Sequence, residues 1–270
     1  MLNILLVNDD GVHAPGINIL KQTLSGIANV IVVAPLEEKS TTGHTLTLDH
    51  TIRISKINEN VYGCSGYPAD CSLVGIRHIF KKVLNGTKID LVISGINRGA
   101  NLGQDIYYSG TVAAAREAAF HGIPAIAISS CMDFKKIHSE TDFYFTASNF
   151  IKYLVELNIS NIIPRMTILN INVPWKPIDQ INGIKVTKIG FRKYSEDIDE
   201  REDFRGRKYY WIGGIYHGFD EFEDSDCMAV ENGQISVTPV KLYDFGISTE
   251  ELYGMMGKFF KPLRVNDCLK

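Results

Sequence analysis

The sequence predicts an α/β protein built on a mostly parallel sheet. In the first half of its 270 residues, short apolar runs alternate with helix-length amphipathic segments, a pattern typical of parallel strands joined by crossover helices. Polar, glycine-containing loops follow several of the apolar runs, and the carboxyl ends of parallel strands are where such sheets collect ligands. We therefore expect a Rossmann-like, three-layer fold in which one sheet lies between two layers of helices.

Five strands and four helices can be assigned in chain order. The helices begin at Pro15, at Pro68, and at the alanine-rich segment 111–121, which stops at Gly122 before Pro124. Proline suits the first turn of a helix, and glycine followed by proline ends one. A long helix is expected before the last strand. The predicted strands are 3–7, 30–34, 91–94, 125–129 and 167–173.

Three further segments lie outside this alternation. Residues 45–62 alternate apolar and polar side chains between threonine-rich flanks, which predicts a strand or hairpin outside the crossover pattern. Residues near 190–220 mix acids, bases and aromatics, and we expect a β-hairpin extension there. Residues 1–245 are expected to form one domain. Residues 246–270 find little to pack on within it, so we expect a C-terminal oligomerisation arm.

Composition excludes several classes of protein. A hydrophobic fraction of 45% and a net charge of -3 are ordinary for a globular protein and give no attraction to a nucleic-acid polymer. Polar residues interrupt every apolar stretch within about ten positions, so no membrane insertion is expected. The N-terminus carries no signal sequence, which predicts a cytoplasmic location. The five cysteines form no CxxC pair, and we expect reduced thiols.

Two adjacent carboxylates follow the first predicted strand, in Asn8-Asp9-Asp10-Gly11. Two ionised carboxylates packed together repel each other unless a cation or a proton intervenes. A metal site is one interpretation of this pair. The other is that the two residues only cap the following helix or shape a loop, the usual role of aspartate near a strand end.

A second informative loop, residues 95–103, follows the predicted strand 91–94 and contains three glycines and two asparagines. Such a loop brings backbone N–H groups close to an anion and offers amide oxygens to a cation. It leads to Ser109 and Thr111 at the start of the alanine-rich helix. Hydroxyls and free N–H groups at a helix N-terminus suit a phosphate group, although either residue could be a simple N-cap.

The loop after the second strand adds hydroxyl groups at Ser40, Thr41 and Thr42. If these loops converge, all donors are oxygen atoms, which favours Mg²⁺, Mn²⁺ or Ca²⁺ over zinc. No P-loop, GxGxxG, GxSxG or HExxH motif occurs in the sequence. Asn8 excludes phosphatases that pair two aspartates two positions apart. No catalytic role is assigned to Arg116, Glu117 or His121.

Six segments, in a fixed order, carry a resemblance to a known family. They are Asn8-Asp9-Asp10-Gly11, Val32-Val33-Ala34-Pro35, Pro68-Ala69-Asp70-Cys71, the run 94–110, Arg205-Gly206-Arg207 and Ser236-Val237-Thr238-Pro239. In these segments the chain resembles the SurE family of survival-protein nucleotidases. The run 94–110 is the most specific of them.

The resemblance implies one divalent metal ion per subunit, Mg²⁺ or Mn²⁺, held by Asp9, Asp10, Ser40 and Asn97. At the hydroxyl position the local pattern departs from the family, and Thr41 is an alternative donor to Ser40. The resemblance also implies a homodimer or homotetramer, because the family exchanges C-terminal segments between subunits.

The activity implied by the resemblance is hydrolysis of nucleoside 5′-monophosphates, and of 3′-monophosphates, to nucleoside and phosphate. Asp9 is the candidate for orienting or deprotonating the attacking water, and a role as covalent nucleophile stays open. A non-catalytic nucleotide-binding stress protein is the alternative function. The residues implied to bind phosphate or substrate are Asn97, Asn101, Ser109, Gly110 and Thr111.

Overall fold

The computed structural model describes residues 1–132, 144–195, 197–243 and 246–269. Their strands are β1 (Leu2–Val7), β2 (Ala28–Pro35), β3 (Ile54–Asn58), β4 (Val61–Cys64), β5 (Leu91–Arg98), β6 (Ala125–Cys131), β7 (Thr167–Pro174), β8 (Ile184–Val186), β9 (Arg192–Tyr194), β10 (Ile198–Glu202), β11 (Lys208–Ile212), β12 (Tyr216–Phe219) and β13 (Ile235–Lys241). The α-helices are α1 (Pro15–Leu24), α2 (Pro68–Val74), α3 (Gly110–Phe120), α4 (Tyr144–Glu156), α5 (Asp226–Glu231) and α6 (Thr249–Phe260). A π-helical segment (Gly75–Val83) continues α2, and a 3₁₀ segment (Gly103–Tyr107) precedes α3.

Nine of the described strands form the central sheet, in the order β3-β4-β2-β1-β5-β6-β7-β13-β8. The five predicted strands are its consecutive parallel members β2, β1, β5, β6 and β7. The predicted α/β class with a mostly parallel sheet is therefore confirmed. The sequence analysis did not assign β13, which runs antiparallel to β7, or the short edge strand β8.

Helices cover both faces of this sheet, as the three-layer prediction requires. In β1, Ile4 and Leu6 belong to the buried cluster that includes residues of α1, α4 and α6, whereas Leu5 and Val7 belong to the cluster that includes residues of α2 and α3. Successive strand residues point to opposite faces, so an uninterrupted apolar run supplies two cores. All four side chains are fully buried, and each contributes about 1.5–3 kcal/mol by its removal from water.

The hairpin predicted within 45–62 is present as β3 and β4, and it extends one edge of the central sheet. Strand β4 pairs parallel to β2, and β3 pairs antiparallel to β4 at the edge of the sheet. Val61 and Cys64 in β4 are buried. An unpaired β2 would leave its backbone polar groups without partners, and β4 satisfies them.

The extension near 190–220 consists of two antiparallel ribbons that follow one another along a single long hairpin, which is consistent with the predicted hairpin. Strand β9 pairs with β12 close to the central sheet, and β10 pairs with β11 farther out. In the outer ribbon, Tyr210, Trp211 and Ile212 are exposed.

The C-terminal segment has more contact with its own chain than expected. Leu252, Met256 and Phe260, four positions apart on one face of α6, are buried, and α6 packs against β8 and β13. The expectation that residues 246–270 find little to pack on within their chain is wrong. Their contact with another subunit stays a prediction, and the expected boundary at 245 lies outside the described residues.

Among the described residues, no helix combines the length and apolar character that crossing a membrane requires.

Candidate functional site

The loops that follow β1, β2 and β5 meet at one edge of the sheet. Val7 at the end of β1 pairs with Ser94 in β5, and the loop after β2 returns to β1 through a hydrogen bond from the Lys39 N–H to the Asp9 carbonyl, 2.8 Å. A cleft of about 450 Å³ opens at this edge. Six of the eight predicted site residues line it: Asp9, Asp10, Ser40, Asn97, Asn101 and Ser109.

Asp9 is held rigidly by the first turn of α3. Its side chain is nearly buried, and its Oδ1 accepts a hydrogen bond from the Thr111 hydroxyl at 2.5 Å. Gly110 lets the helix approach this closely, because a Cβ at that position would lie 2.8 Å from Cβ of Asp9 and 2.9 Å from Cγ of Pro68. The carboxylate therefore has one fixed orientation.

Asp10 lies beside Asp9, and burial disfavours the charged form of both carboxyl groups. Burial raises the pKa of Asp9 above its ordinary value, in spite of the hydrogen bonds from Thr111. Burial and the Asp9 carboxylate raise the pKa of Asp10 to about 7, although the Arg98 N–H donates to its Oδ2 at 3.1 Å. Two adjacent carboxylates with raised pKa values favour a bound cation.

A bulge in β5 directs Asn97 toward the same point. The register between β5 and β6 shifts between Ser94 and Asn97. Gly95 makes this possible, because it adopts φ +135° and a Cβ there would lie 2.2 Å from the Ile128 carbonyl oxygen. The Asn97 amide nitrogen donates to the Gly99 carbonyl at 3.0 Å. The amide oxygen is therefore the atom that Asn97 offers to a cation.

Both candidate hydroxyl donors of the loop after β2 line the cleft. Ser40 is exposed, and its hydroxyl donates to Glu38 Oε1 at 2.6 Å. Thr41 is also exposed and adopts φ +57°. The structure brings both residues to the cleft, and the choice between them stays open.

The start of α3 carries three residues of the expected phosphate site. Ser109 lines the cleft, and its Oγ accepts the Val112 N–H at 3.1 Å, so it is the N-cap of the helix. Thr111 is fully buried, and its hydroxyl is engaged by Asp9. The Thr111 hydroxyl is therefore committed to Asp9, and the expected binding of phosphate at Thr111 stays a prediction. Gly110 packs closely against Asp9, and its expected contact with phosphate also stays a prediction.

Two asparagines that the sequence analysis missed hold Asn101 in place. The Asn172 side chain accepts the Asn101 N–H at 2.8 Å and donates to the Asn101 carbonyl at 2.9 Å. Asn170 donates to the same carbonyl at 2.8 Å. Both asparagines are fully buried in β7. Their spacing of two within an apolar strand places them on one face, and that was the available signal.

The three helix residues without an assigned role lie outside the cleft. Glu117 bridges His44 and His121, at 2.9 and 3.1 Å, and the hydrogen bond from His44 lowers the pKa of Glu117. Nε and Nη2 of Arg116 are buried and have no hydrogen-bond partner in the described part of the chain. None of these helix residues lines the cleft.

The cleft residues fit a hard divalent cation. The described residues contain no group of three or more His, Cys, Asp or Glu side chains arranged for a metal ion. Asp9 and Asp10 would offer such an ion two carboxylates, Asn97 an amide oxygen, and Ser40 or Thr41 a hydroxyl, and all of these residues line the cleft. Oxygen donors of this kind suit Mg²⁺ and Mn²⁺.

The chain is similar to proteins of known family. The family model described as Survival protein SurE matches residues 4–196. The 5′-nucleotidase SurE of Geobacter sulfurreducens is 44% identical over 241 residues, which cover 89% of this chain and 88% of that protein. The protein of the same name from Vibrio cholerae serotype O1 is 40% identical, covering 89% and 92%.

The fold agrees with a solved structure. The crystal structure of the SurE protein from Aquifex aeolicus superposes with a TM-score of 0.76 and 37% identity, and the match covers 95% of this chain and 99% of that one. The match to the family model covers more than half of the chain, and the sequence identity extends over most of its length. This chain therefore belongs to the SurE family.

Proposed function

We propose that the protein is a metal-dependent phosphomonoesterase that hydrolyses nucleoside 5′-monophosphates, and 3′-monophosphates as a second substrate class, to nucleoside and phosphate. The observation that carries this proposal is the pair of carboxylates, Asp9 and Asp10, in a cleft of about 450 Å³ beside the N-terminus of α3. The relatives from Geobacter sulfurreducens and Vibrio cholerae are named 5′-nucleotidase SurE, which supports the same substrate class.

One Mg²⁺ or Mn²⁺ per subunit completes the proposed site, held by Asp9, Asp10, Asn97 and either Ser40 or Thr41. When bound, the ion would neutralise phosphoryl oxygens and lower the pKa of the attacking water. The carboxylates would provide the charge that retains such an ion, and Asn97 would add an oxygen ligand from the neighbouring strand β5.

Asp9 is the residue proposed to orient or deprotonate the attacking water. The Thr111 hydroxyl occupies its Oδ1, so Oδ2 is the oxygen left for the reaction. A rigid carboxylate loses little entropy on reaching the transition state, and positioning supplies most of the rate enhancement in phosphoryl transfer. The same geometry is compatible with Asp9 as covalent nucleophile.

The phosphate is expected to bind along Asn97, Asn101 and Ser109. These residues line the cleft next to the first turn of α3, where the helix dipole favours an anion. Thr111 and Gly110 act behind this surface by holding Asp9. The buried Asn172 keeps the backbone of Asn101 in place.

The first experiment measures phosphate release from nucleoside 5′- and 3′-monophosphates with Mg²⁺, Mn²⁺ or EDTA. Wild type is compared with Asp9→Asn and Asn97→Ala, and with Asp179→Asn and Asn29→Ala as exposed controls. Activity that requires a metal and both cleft residues, but neither control residue, supports the enzyme. If wild type binds nucleotide but releases no phosphate with any metal, the enzyme proposal fails and a non-catalytic nucleotide-binding protein takes its place.

A homodimer or homotetramer is the proposed assembly. The exposed aromatic residues of the outer ribbon, among them Tyr210 and Trp211, are a surface that an assembly would cover, and the resemblance to the family supports this. Light scattering coupled to size-exclusion chromatography distinguishes monomer, dimer and tetramer.

A further inference from the structure

The inner ribbon of the extension is joined tightly to the wall of the cleft. The Gln104 side chain donates to the Arg192 carbonyl at 2.7 Å and accepts the Arg192 N–H at 2.8 Å. The buried Asp226 carboxylate accepts both the Gly103 N–H, at 2.9 Å, and the Gly190 N–H, at 2.8 Å. Four hydrogen bonds therefore fix the start of β9 against the 3₁₀ segment 103–107.

This junction places a guanidinium group directly behind a carboxylate of the cleft. Asp105 lines the cleft, and its Oδ2 accepts hydrogen bonds from Arg192 Nη1 and from the Tyr194 hydroxyl, both at 2.5 Å. The side chains of Arg192 and Asp105 are only 19% and 22% exposed. The Arg192 guanidinium also lies over the Tyr216 ring, 4.5 Å from its centre, so it has little freedom to move.

The charge of the cleft indicates a role for the ion pair between Arg192 and Asp105. Of the described residues, four carboxylates and one guanidinium, that of Arg98, line the cleft. The carboxylates are Asp9, Asp10, Glu38 and Asp105. A phosphate monoester approaches as a dianion, and like charges at short distance oppose its binding. The proposed metal ion offsets Asp9 and Asp10, but Asp105 is outside the proposed metal set and needs another cation.

We infer that Arg192 is a positioning residue that neutralises Asp105 and fixes the cleft wall, so that a phosphate dianion can bind. This inference rests on the proposed function and extends it to a residue of the extension. Arg192 acts through Asp105 and contacts the cleft from behind. The extension is therefore part of the substrate-binding apparatus as well as a projecting hairpin.

Steady-state kinetics of three variants test the charge argument. In Arg192→Met, an uncompensated Asp105 is expected to raise KM for a nucleoside monophosphate roughly tenfold with a much smaller change in kcat. Asp105→Asn retains an oxygen acceptor for Arg192 and Tyr194, so its KM is expected to equal that of wild type or fall below it. Asp105→Asn combined with Arg192→Met is expected to recover most of the lost affinity.

A purely structural role for Arg192 predicts different results. Asp105→Asn would then raise KM as much as Arg192→Met does, and the double variant would be no better than Arg192→Met. Either outcome overturns the inference. Added KCl is expected to reduce the KM difference between Arg192→Met and wild type, because salt screens the repulsion. Lys152→Met, which removes an exposed cation from an ion pair on α4, is the matched control and should leave KM unchanged.

Two additional measurements keep the inference testable. If Arg192→Met does not fold, Arg192→Lys, which preserves the charge, should keep KM near that of wild type, and a tenfold rise would contradict the charge argument. If wild type releases phosphate from no nucleoside monophosphate, the proposed function fails, and the inference is judged by calorimetric binding of inorganic phosphate with Mn²⁺. Equal binding by wild type and Arg192→Met, weakened binding by Arg192→Lys, or no binding by wild type would overturn it.

Discussion

Oγ1 of Thr111 lies 2.5 Å from Oδ1 of Asp9, across 102 positions of sequence. This bond joins the first turn of α3 to the loop after β1 and gives the Asp9 carboxylate one orientation. Because Thr111 is fully buried, water cannot replace its hydroxyl if that group is lost.

Thr111→Val removes the hydroxyl at nearly constant volume and is expected to lower kcat roughly tenfold or more, since Asp9 loses the donor that orients it. Leaving a buried acceptor without its donor should also reduce the free energy of unfolding by about 1–2 kcal/mol. Steady-state kinetics and chemical denaturation measure both. Thr111→Ser keeps the hydroxyl and is the control. A kcat for Thr111→Val within twofold of wild type would contradict the orienting role.

Metal affinity should depend on pH through Asp10. Its pKa is raised to about 7, so below that pH a cation must displace a proton. The apparent affinity for Mn²⁺ is expected to rise about tenfold per pH unit up to about pH 7 and to level off above it. Calorimetric titrations with Mn²⁺ at several pH values below and above about pH 7 measure this dependence. An affinity that does not change across this range would show that Asp10 is not a ligand.

The same pKa has a consequence for stability. Asp10 holds its proton in the folded protein up to about pH 7, whereas an unfolded aspartate releases it near about pH 4. The unfolded state therefore binds fewer protons between these values, and the free energy of unfolding of the metal-free protein falls as pH rises from about 4 to about 7. Thermal denaturation in EDTA is the measurement. Asp10→Asn should flatten this part of the profile, and an unchanged slope in that variant would assign the effect to other groups.

Asn172→Asp replaces the nitrogen that donates to the Asn101 carbonyl with an oxygen, so two acceptors would face each other in a buried site. We expect a loss of about 2–4 kcal/mol in the free energy of unfolding and a higher KM, because Asn101 would no longer be fixed. Denaturation and kinetics check these effects. Asn29→Asp, at an exposed position, should change neither. A stable Asn172→Asp variant with normal KM would show that Asn172 is not needed to hold Asn101 in the site.

Gly110→Ala tests the close packing behind Asp9. The added Cβ would lie 2.8 Å from Asp9 and 2.9 Å from Pro68, so the helix or the carboxylate must shift and activity should fall at least tenfold. Gly26→Ala is the matched control, because nothing lies within 4 Å of a Cβ at that position. Equal activity of the two variants would show that the position of Asp9 tolerates such a shift.

Much of the site follows from the sequence because parallel strands deliver their carboxyl-terminal loops to the same edge of a sheet. Predicting strands that end at residues 7 and 94 was sufficient to expect Asp9 and Asn97 in one place, although β5 continues through its bulge to Arg98. The all-oxygen donor set also follows from residue identity, without any knowledge of distances. The buried face of α6 was present in the sequence as Leu252, Met256 and Phe260 at helical spacing, but it was not recognised.

Other features were decided only by the tertiary structure. Whether Thr111 faces a ligand or Asp9 depends on how α3 is rotated and how closely Gly110 lets it approach. Asn172 is one of two asparagines in an apolar strand, and only the fold brings Asn101 against them. Arg192 and Asp105 are 87 positions apart. Local periodicity determined the strands, the helices and the edge at which the site lies. The partner of each side chain depended on long-range packing, which local periodicity does not specify.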